Sequence, residues 1–178
     1  GIFSTIIFFI ILPFWLIAGI FKPKLTKGLR EKMGFYKNLK SIEKPIIFYG
    51  VSVGEVLAME NLIKKTKETF PNQNIVVMTG TSTGQEIAHK KLKNTVDYIT
   101  YFPLDFPYFV NKMLKTFNPK TVIIMETELW PNFANITNKK GIKTYIINAR
   151  ISDRTFNSYK KLQLIFKPIL KKYSAVFP

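Results

Sequence analysis

From Pro45 onward, runs of four or five apolar residues alternate with longer segments of mixed polarity, and that alternation admits few folds. Ile46–Tyr49, Ile75–Met78, Thr121–Met125 and Thr144–Ile147 read as strands, Tyr98–Tyr101 as a weaker one, and Ala175–Phe177 as the start of a sixth. Between them, helices are predicted over Glu55–Phe70, Thr83–Leu92, Phe106–Phe117, Trp130–Lys139 and Thr155–Lys172, the last interrupted at Pro168. In the first helix, Val56, Leu57, Leu62 and Ile63 are expected on the apolar side. The Thr121–Met125 run is apolar at every position after Thr121, as expected of a strand covered on both faces. Strands alternating with helices in this way make β-α units, so the predicted class is α/β, a Rossmann-like parallel sheet flanked by helices.

The N-terminus follows another pattern. Gly1–Phe21 contains no charged residue, and at 1.5 Å per residue a helix of that length spans roughly 31 Å, the thickness of a bilayer core. Lys22, Lys24, Lys27 and Arg30 follow at once. A cleaved signal peptide would place its basic segment before the apolar run. The expectation is an N-terminal transmembrane helix over residues 1–21, with the remainder of the chain in the cytoplasm. Leu25, Leu29 and Met33 recur at helical spacing among the bases, which predicts a basic amphipathic helix on the membrane surface, stopped by Gly34, within a membrane-proximal segment over 22–44. The globular domain is expected over 45–178.

Composition narrows the chemistry. The chain of 178 residues has no cysteine and one histidine, His89. A disulfide scaffold, a thiolate metal site and a cysteine nucleophile are excluded, and a serine triad or zinc site would rest on His89 alone. The formal charge is +16, carried by 24 Lys and 3 Arg, which points to an anionic partner. The excess is not one polybasic tail, because Val51–Phe109 is neutral. Nucleic acid fits poorly: Phe and Tyr lie in apolar runs and are not interleaved with lysines on a basic face.

In a parallel sheet, ligands bind beyond the carboxyl ends of the strands, so the residues after each strand carry the information. After the first strand comes Gly50-Val51-Ser52-Val53-Gly54-Glu55. Ser52 and Glu55 have capping-box spacing, so Glu55 either closes a helix end or serves as a general base at the top of the sheet. After the second comes Thr79-Gly80-Thr81-Ser82-Thr83-Gly84, whose four hydroxyls at a helix start suit an anion or a sugar, with Thr81 and Ser82 as candidates. It matches neither a Walker loop nor GxGxxG. After the fourth comes Glu126-Thr127-Glu128-Leu129-Trp130-Pro131-Asn132. Two carboxylates two residues apart point to the same side if the extended backbone continues, and like charges held close raise a pKa. After the fifth comes Asn148-Ala149-Arg150-Ile151-Ser152, where the Arg150 fork suits phosphate or carboxylate.

Taken together, Val51-Ser52-Val53-Gly54-Glu55, Met125-Glu126-Thr127-Glu128-Leu129-Trp130-Pro131-Asn132 and Asn148-Ala149-Arg150-Ile151-Ser152 resemble, in order and spacing, the N-terminal half of the bacterial 3-deoxy-D-manno-octulosonic acid (Kdo) transferases. Arg30-Glu31-Lys32-Met33-Gly34-Phe35-Tyr36 is similar to their membrane-proximal stretch. The resemblance implies the N-terminal domain of a GT-B glycosyltransferase, moving Kdo from CMP-Kdo to the lipid A precursor at the inner membrane in lipopolysaccharide biosynthesis. It implies Glu55 as general base and Glu126 as a second essential acid of the acceptor site. Ser52, Gly54, Thr81, Ser82, Glu128, Asn148 and Arg150, in the loops after the strands, are the candidate substrate-binding residues. It implies no metal and no cofactor beyond the CMP-Kdo donor. Residues 45–178 would be the acceptor-binding domain, and the C-terminal domain that holds most of the donor site is not in the sequence. The rival reading is a membrane-tethered basic domain that binds anionic lipid without catalysis.

Overall fold

The computed structural model describes residues 27–37, 42–126, 128–150 and 163–178. The expected transmembrane helix over 1–21 and the first half of the helix expected over Thr155–Lys172 lie outside them. Among the described residues no helix is long and apolar enough to cross a membrane.

Six parallel strands form one sheet: β1 (Ile46–Gly50), β2 (Ile75–Thr79), β3 (Tyr98–Tyr101), β4 (Thr121–Met125), β5 (Lys143–Ile147) and β6 (Ala175–Val176). Their order is β3-β2-β1-β4-β5-β6. The chain builds outward from β1 to one edge, then returns to the other side of β1 and builds outward again. Every adjacent pair is parallel, which requires a crossover between consecutive strands. The helices are α1 (Leu29–Lys32), α2 (Val53–Thr69), α3 (Ser82–Leu92), α4 (Pro107–Phe117), α5 (Pro131–Lys139) and α6 (Gln163–Leu170). This is the predicted Rossmann-like α/β architecture.

Alternation along the strands divides the core into two layers. Ile47 and Tyr49 of β1, Val76 and Met78 of β2, and Val122 and Ile124 of β4 face one side, where Val110, Met113, Leu114 and Phe117 of α4 and Phe133 of α5 cover them. Phe48, Ile75 and Val77 face the other, under Val56, Met59 and Ile63 of α2 and Ala88 and Leu92 of α3. The buried stripe of α2 therefore runs through positions 56, 59 and 63. Leu57 and Leu62, expected on that side, are 44% and 41% exposed. One helical turn rotates the chain by 3.6 residues, so the Val56 stripe continues through Met59 and excludes both leucines.

The basic segment is partly integrated into this domain. Its helix is the single turn α1, and Met33 falls in the turn that follows, ended by Gly34 at φ +79°. This segment lies along the β3 edge. The Lys32 ammonium stands 4.9 Å from the Tyr101 ring centre, and Tyr36 packs edge-on against Phe117 at 4.8 Å. Leu104 N–H donates to the Lys32 carbonyl at 2.9 Å.

Candidate active site

The strand order reverses between β1 and β4, which are direct neighbours. Connections leaving these two strands run to opposite faces of the sheet and open a crevice at their carboxyl ends, the usual place for a ligand in such folds. The two acid-bearing loops start there: Glu55 follows β1 and Glu126 follows β4.

The β1 loop is held by its own backbone. Glu55 is the third residue of α2 and is buried, at 8% exposure. One oxygen accepts the Val51 N–H at 2.5 Å and the other accepts the Ser52 hydroxyl at 2.9 Å. The reciprocal capping box is therefore not completed: Ser52 gives its hydroxyl to Glu55, and its side chain makes no bond to the helix end. The Val51 carbonyl in turn accepts Gly80 N–H at 3.2 Å, Thr81 N–H at 3.0 Å and the Thr81 hydroxyl at 2.9 Å. Val51 thus ties the loops after β1 and β2 together. Gly54 lies beside this knot, exposed, with no atom within 4 Å of where a Cβ would stand.

The hydroxyl-rich loop after β2 is largely committed to structure. Thr79 belongs to the buried strand and donates to Gln85 Oε1 at 2.6 Å. Thr81 caps α3 by accepting Gly84 N–H at 3.1 Å while it donates to Val51. Ser82 begins α3, half-buried, and Thr83 is exposed. Of the four hydroxyls, Thr79 and Thr81 thus satisfy buried or capping groups.

After β4 the extended backbone does not continue, contrary to expectation. Glu126 has φ +62°, in the left-handed region, with its N–H donated to Ile147 O at 2.9 Å. Asn148, after β5, adopts φ +52°. Asparagine tolerates that conformation, but a glutamate there is strained by roughly 1 kcal/mol or more. The acids nonetheless converge. Burial pushes the Glu128 carboxyl above the ordinary glutamate range, and the neighbouring Glu55 and Glu126 push it further. Glu55 and Glu126, each from a loop at the switch point, thus both lie within electrostatic reach of Glu128. Arg150 is exposed and donates Nε–H to Asn148 Oδ1 at 3.3 Å. Among the described residues no three histidine or acidic side chains are placed to hold a metal.

Several residues of the site were not singled out from sequence. Tyr49, 2% exposed at the end of β1, stacks on Phe102 with ring centres 3.9 Å apart. Burial drives its phenol well above the ordinary tyrosine range, and Glu128 and Glu55 add to the shift. Trp130 packs against both rings, and its buried indole N–H approaches the Tyr49 oxygen without forming a well-shaped hydrogen bond. Its backbone N–H donates to the Tyr173 hydroxyl at 3.2 Å. Asp105, in the loop after β3, bonds the start of α5. Its signal was an acid after a strand, two residues before the first proline of a helix.

A family profile described as 3-deoxy-D-manno-octulosonic-acid transferase (kdotransferase) matches residues 27–178. A bifunctional glycosyltransferase/methyltransferase of Fusobacterium nucleatum is 38% identical over 153 residues, covering 85% of this chain and 24% of that protein. The 3-deoxy-D-manno-octulosonic acid transferase of Haemophilus influenzae is 32% identical over 168 residues, 94% of this chain and 39% of that protein. Its counterpart in Chlamydia muridarum is 29% identical over 147 residues, 82% of this chain and 34% of that protein. The chain therefore spans well under half the length of these relatives. With a matching profile over most of its length and the acid-bearing loops at the switch point of the sheet, the chain belongs to the Kdo transferase family.

Proposed function

We propose that the chain is the acceptor-side half of a glycosyltransferase that moves Kdo from CMP-Kdo to the phosphorylated, acylated disaccharide precursor of lipid A. The observation that carries this reading is the gathering of Glu55, Glu126 and Glu128 at the β1–β4 switch point. A sugar hydroxyl is a weak nucleophile and must lose its proton as it attacks. In the proposed step the acceptor oxygen bonds to the anomeric carbon of Kdo, its proton passes to Glu55, and the bond from that carbon to the CMP phosphate oxygen breaks, its electron pair leaving with CMP. Each Glu55 oxygen accepts one hydrogen bond and keeps lone-pair capacity for a proton. Glu126 is the second essential acid. Glu128, Ser52, Gly54, Asn148 and Arg150 contact the acceptor, with Thr81 and Ser82 shaping the rim. A second Rossmann-like domain supplies most of the CMP-Kdo site and closes over the crevice.

We further propose attachment to the inner membrane through residues 1–21, with this domain facing the cytoplasm, supported by the uncharged run and its basic flank. The excess of lysines suits an acceptor bearing phosphates.

The test is transfer of Kdo by a protein carrying both halves, with Glu55→Gln as the variant. A lost general base lowers turnover by roughly 10²–10⁴-fold, about 3–5 kcal/mol of barrier. Loss of a helix-end charge alone costs ~0.3–1 kcal/mol of stability and leaves turnover unchanged. A stable, inactive variant supports the base; a fully active one returns Glu55 to the helix terminus.

A further inference from the structure

We propose that Asp105 is a positioning residue, which holds the loop carrying Glu126 and Glu128 by closing the start of α5 from outside that helix; its effect on turnover rests on the function proposed above. The first turn of any helix leaves backbone N–H groups without partners inside the helix. In α5 they lie directly after the acids. The position before the helix is Trp130, which has no side-chain oxygen to accept them, and Pro131 has no N–H. The remaining donors are reached from far along the chain. Asp105 Oδ2 accepts Asn132 N–H at 2.9 Å and Oδ1 accepts Phe133 N–H at 2.7 Å. The Asn132 side-chain amide donates to the Asp105 carbonyl at 2.7 Å and to Oδ2 at 3.4 Å.

This two-oxygen grip fixes the helix end in rotation as well as in distance. Its support is itself fixed. Phe102 N–H donates to Thr79 O at 2.9 Å, and Leu104 N–H donates to Lys32 O at 2.9 Å. Glu126 therefore stands at the end of β4, and Glu128–Trp130 lead into a clamped helix start.

An ordinary local cap would place Ser, Thr, Asp or Asn at position 130. Moving that task to Asp105 leaves position 130 to an indole that packs against the stacked rings of Tyr49 and Phe102. The arrangement has an electrostatic cost, since burial pushes the Asp105 carboxyl above its ordinary range despite the bonds from Asn132 and Phe133. A local Asp cap at the surface would avoid that cost.

The experiment uses Asp105→Asn in a protein carrying both halves, with turnover, the KM for CMP-Kdo, thermal unfolding and the indole ¹⁵N–¹H resonance of Trp130 measured together. An asparagine keeps the shape but offers one acceptor oxygen where two are used. Turnover is expected to fall roughly 10–100-fold, the scale of an ångström-sized misplacement. The KM for CMP-Kdo stays within about twofold, because the donor is held mainly elsewhere. The Trp130 resonance shifts, while the methyl signals of Ile47 and Val76 in the sheet stay in place. Turnover within twofold of the parent, or an unmoved Trp130 resonance, overturns the proposal. If Asp105→Asn does not fold, Asn132→Ala removes only the side-chain amide contacts; a shifted Trp130 signal with a roughly 2–5-fold turnover loss supports positioning, and unchanged turnover overturns it. If the parent protein transfers no Kdo, the functional reading fails, and the Trp130 resonance alone decides whether Asp105 sets the loop.

Discussion

Glu55 leaves β1 on a loop that supplies its own ligands, whereas Glu126 and Glu128 leave β4 on a loop held by residues from elsewhere in the chain. In the first loop, Val51 and Ser52, four and three residues before Glu55, provide both of its hydrogen bonds. In the second, Glu126 sits at a left-handed φ, and the following helix is closed by Asp105 and by Tyr173 through Trp130. The first arrangement is a rigid local knot. The second stores strain and burial costs, the pattern expected where structure has been shaped for a task other than stability. One glutamate is placed by its neighbours in sequence; the other pair is placed by the fold.

The largest expected effect separates strain from charge in the β4 loop. Glu126→Gly removes the penalty of the left-handed conformation and should raise stability by roughly 0.5–1 kcal/mol. It also removes the proposed second acid, so on that proposal transfer should fall by at least ~100-fold. Thermal unfolding and a transfer assay on the same preparation check both. A variant that is destabilised would show that the Glu126 side chain holds the loop, and the contrast between the two loops would collapse.

Next in size is a break in the β1–β2 knot. A Cβ on Gly84 would stand 2.9 Å from the Val51 carbonyl and 3.1 Å from the Thr81 hydroxyl. Gly84→Ala should therefore cost about 1–3 kcal/mol of stability. Gly54→Ala, which meets nothing within 4 Å, should leave stability equal or slightly higher. If the acceptor approaches over Gly54, that second variant loses transfer while its melting temperature holds. Equal destabilisation by both substitutions would contradict the contrast between the two glycines, and undiminished transfer by Gly54→Ala would mean that the acceptor does not approach there.

The smallest effect is electrostatic. Glu128 has its folded pKa raised by burial, Glu55 and Glu126. Its carboxyl therefore favours folding in the protonated form, and that contribution, full below the unfolded value near 4.5, is lost as pH rises through the raised folded value. Glu128→Gln should raise the melting temperature modestly at pH 7, with the gain vanishing below about pH 4.5. A gain that is the same at both pH values would assign it to packing and not to crowded charge.

The strands were legible because each is a short apolar run bounded by turn residues, and β1, β2 and β4 fell within one residue of expectation. The Glu55 loop was legible because its partners lie within four positions. The β4 loop was legible as an unusual acid pair, but its backbone was not: a left-handed glutamate contradicts local preference and depends on a bond to Ile147 of the neighbouring strand. Asp105 and Tyr173 could not be tied to the site by spacing, because they reach it across 27 and 43 positions only once the sheet order is known, and nothing in the sequence joins Tyr49, six residues before Glu55, to Glu128 and Trp130 of the β4 loop. Leu57 and Leu62 show the same limit in miniature, since hydrophobicity placed them inward and the helical rotation set by Val56, Met59 and Ile63 turned them outward.

The central claim is that the two acid-bearing loops form one catalytic unit. A double-variant cycle of Glu55→Gln and Glu126→Gln, measured as Kdo transfer by a protein carrying both halves, tests it most directly. Residues that act as a unit are strongly non-additive. The double variant should be no more than roughly threefold slower than the worse single variant. If the two losses instead multiply, Glu55 and Glu126 act independently, and the switch-point crevice is not the single site described.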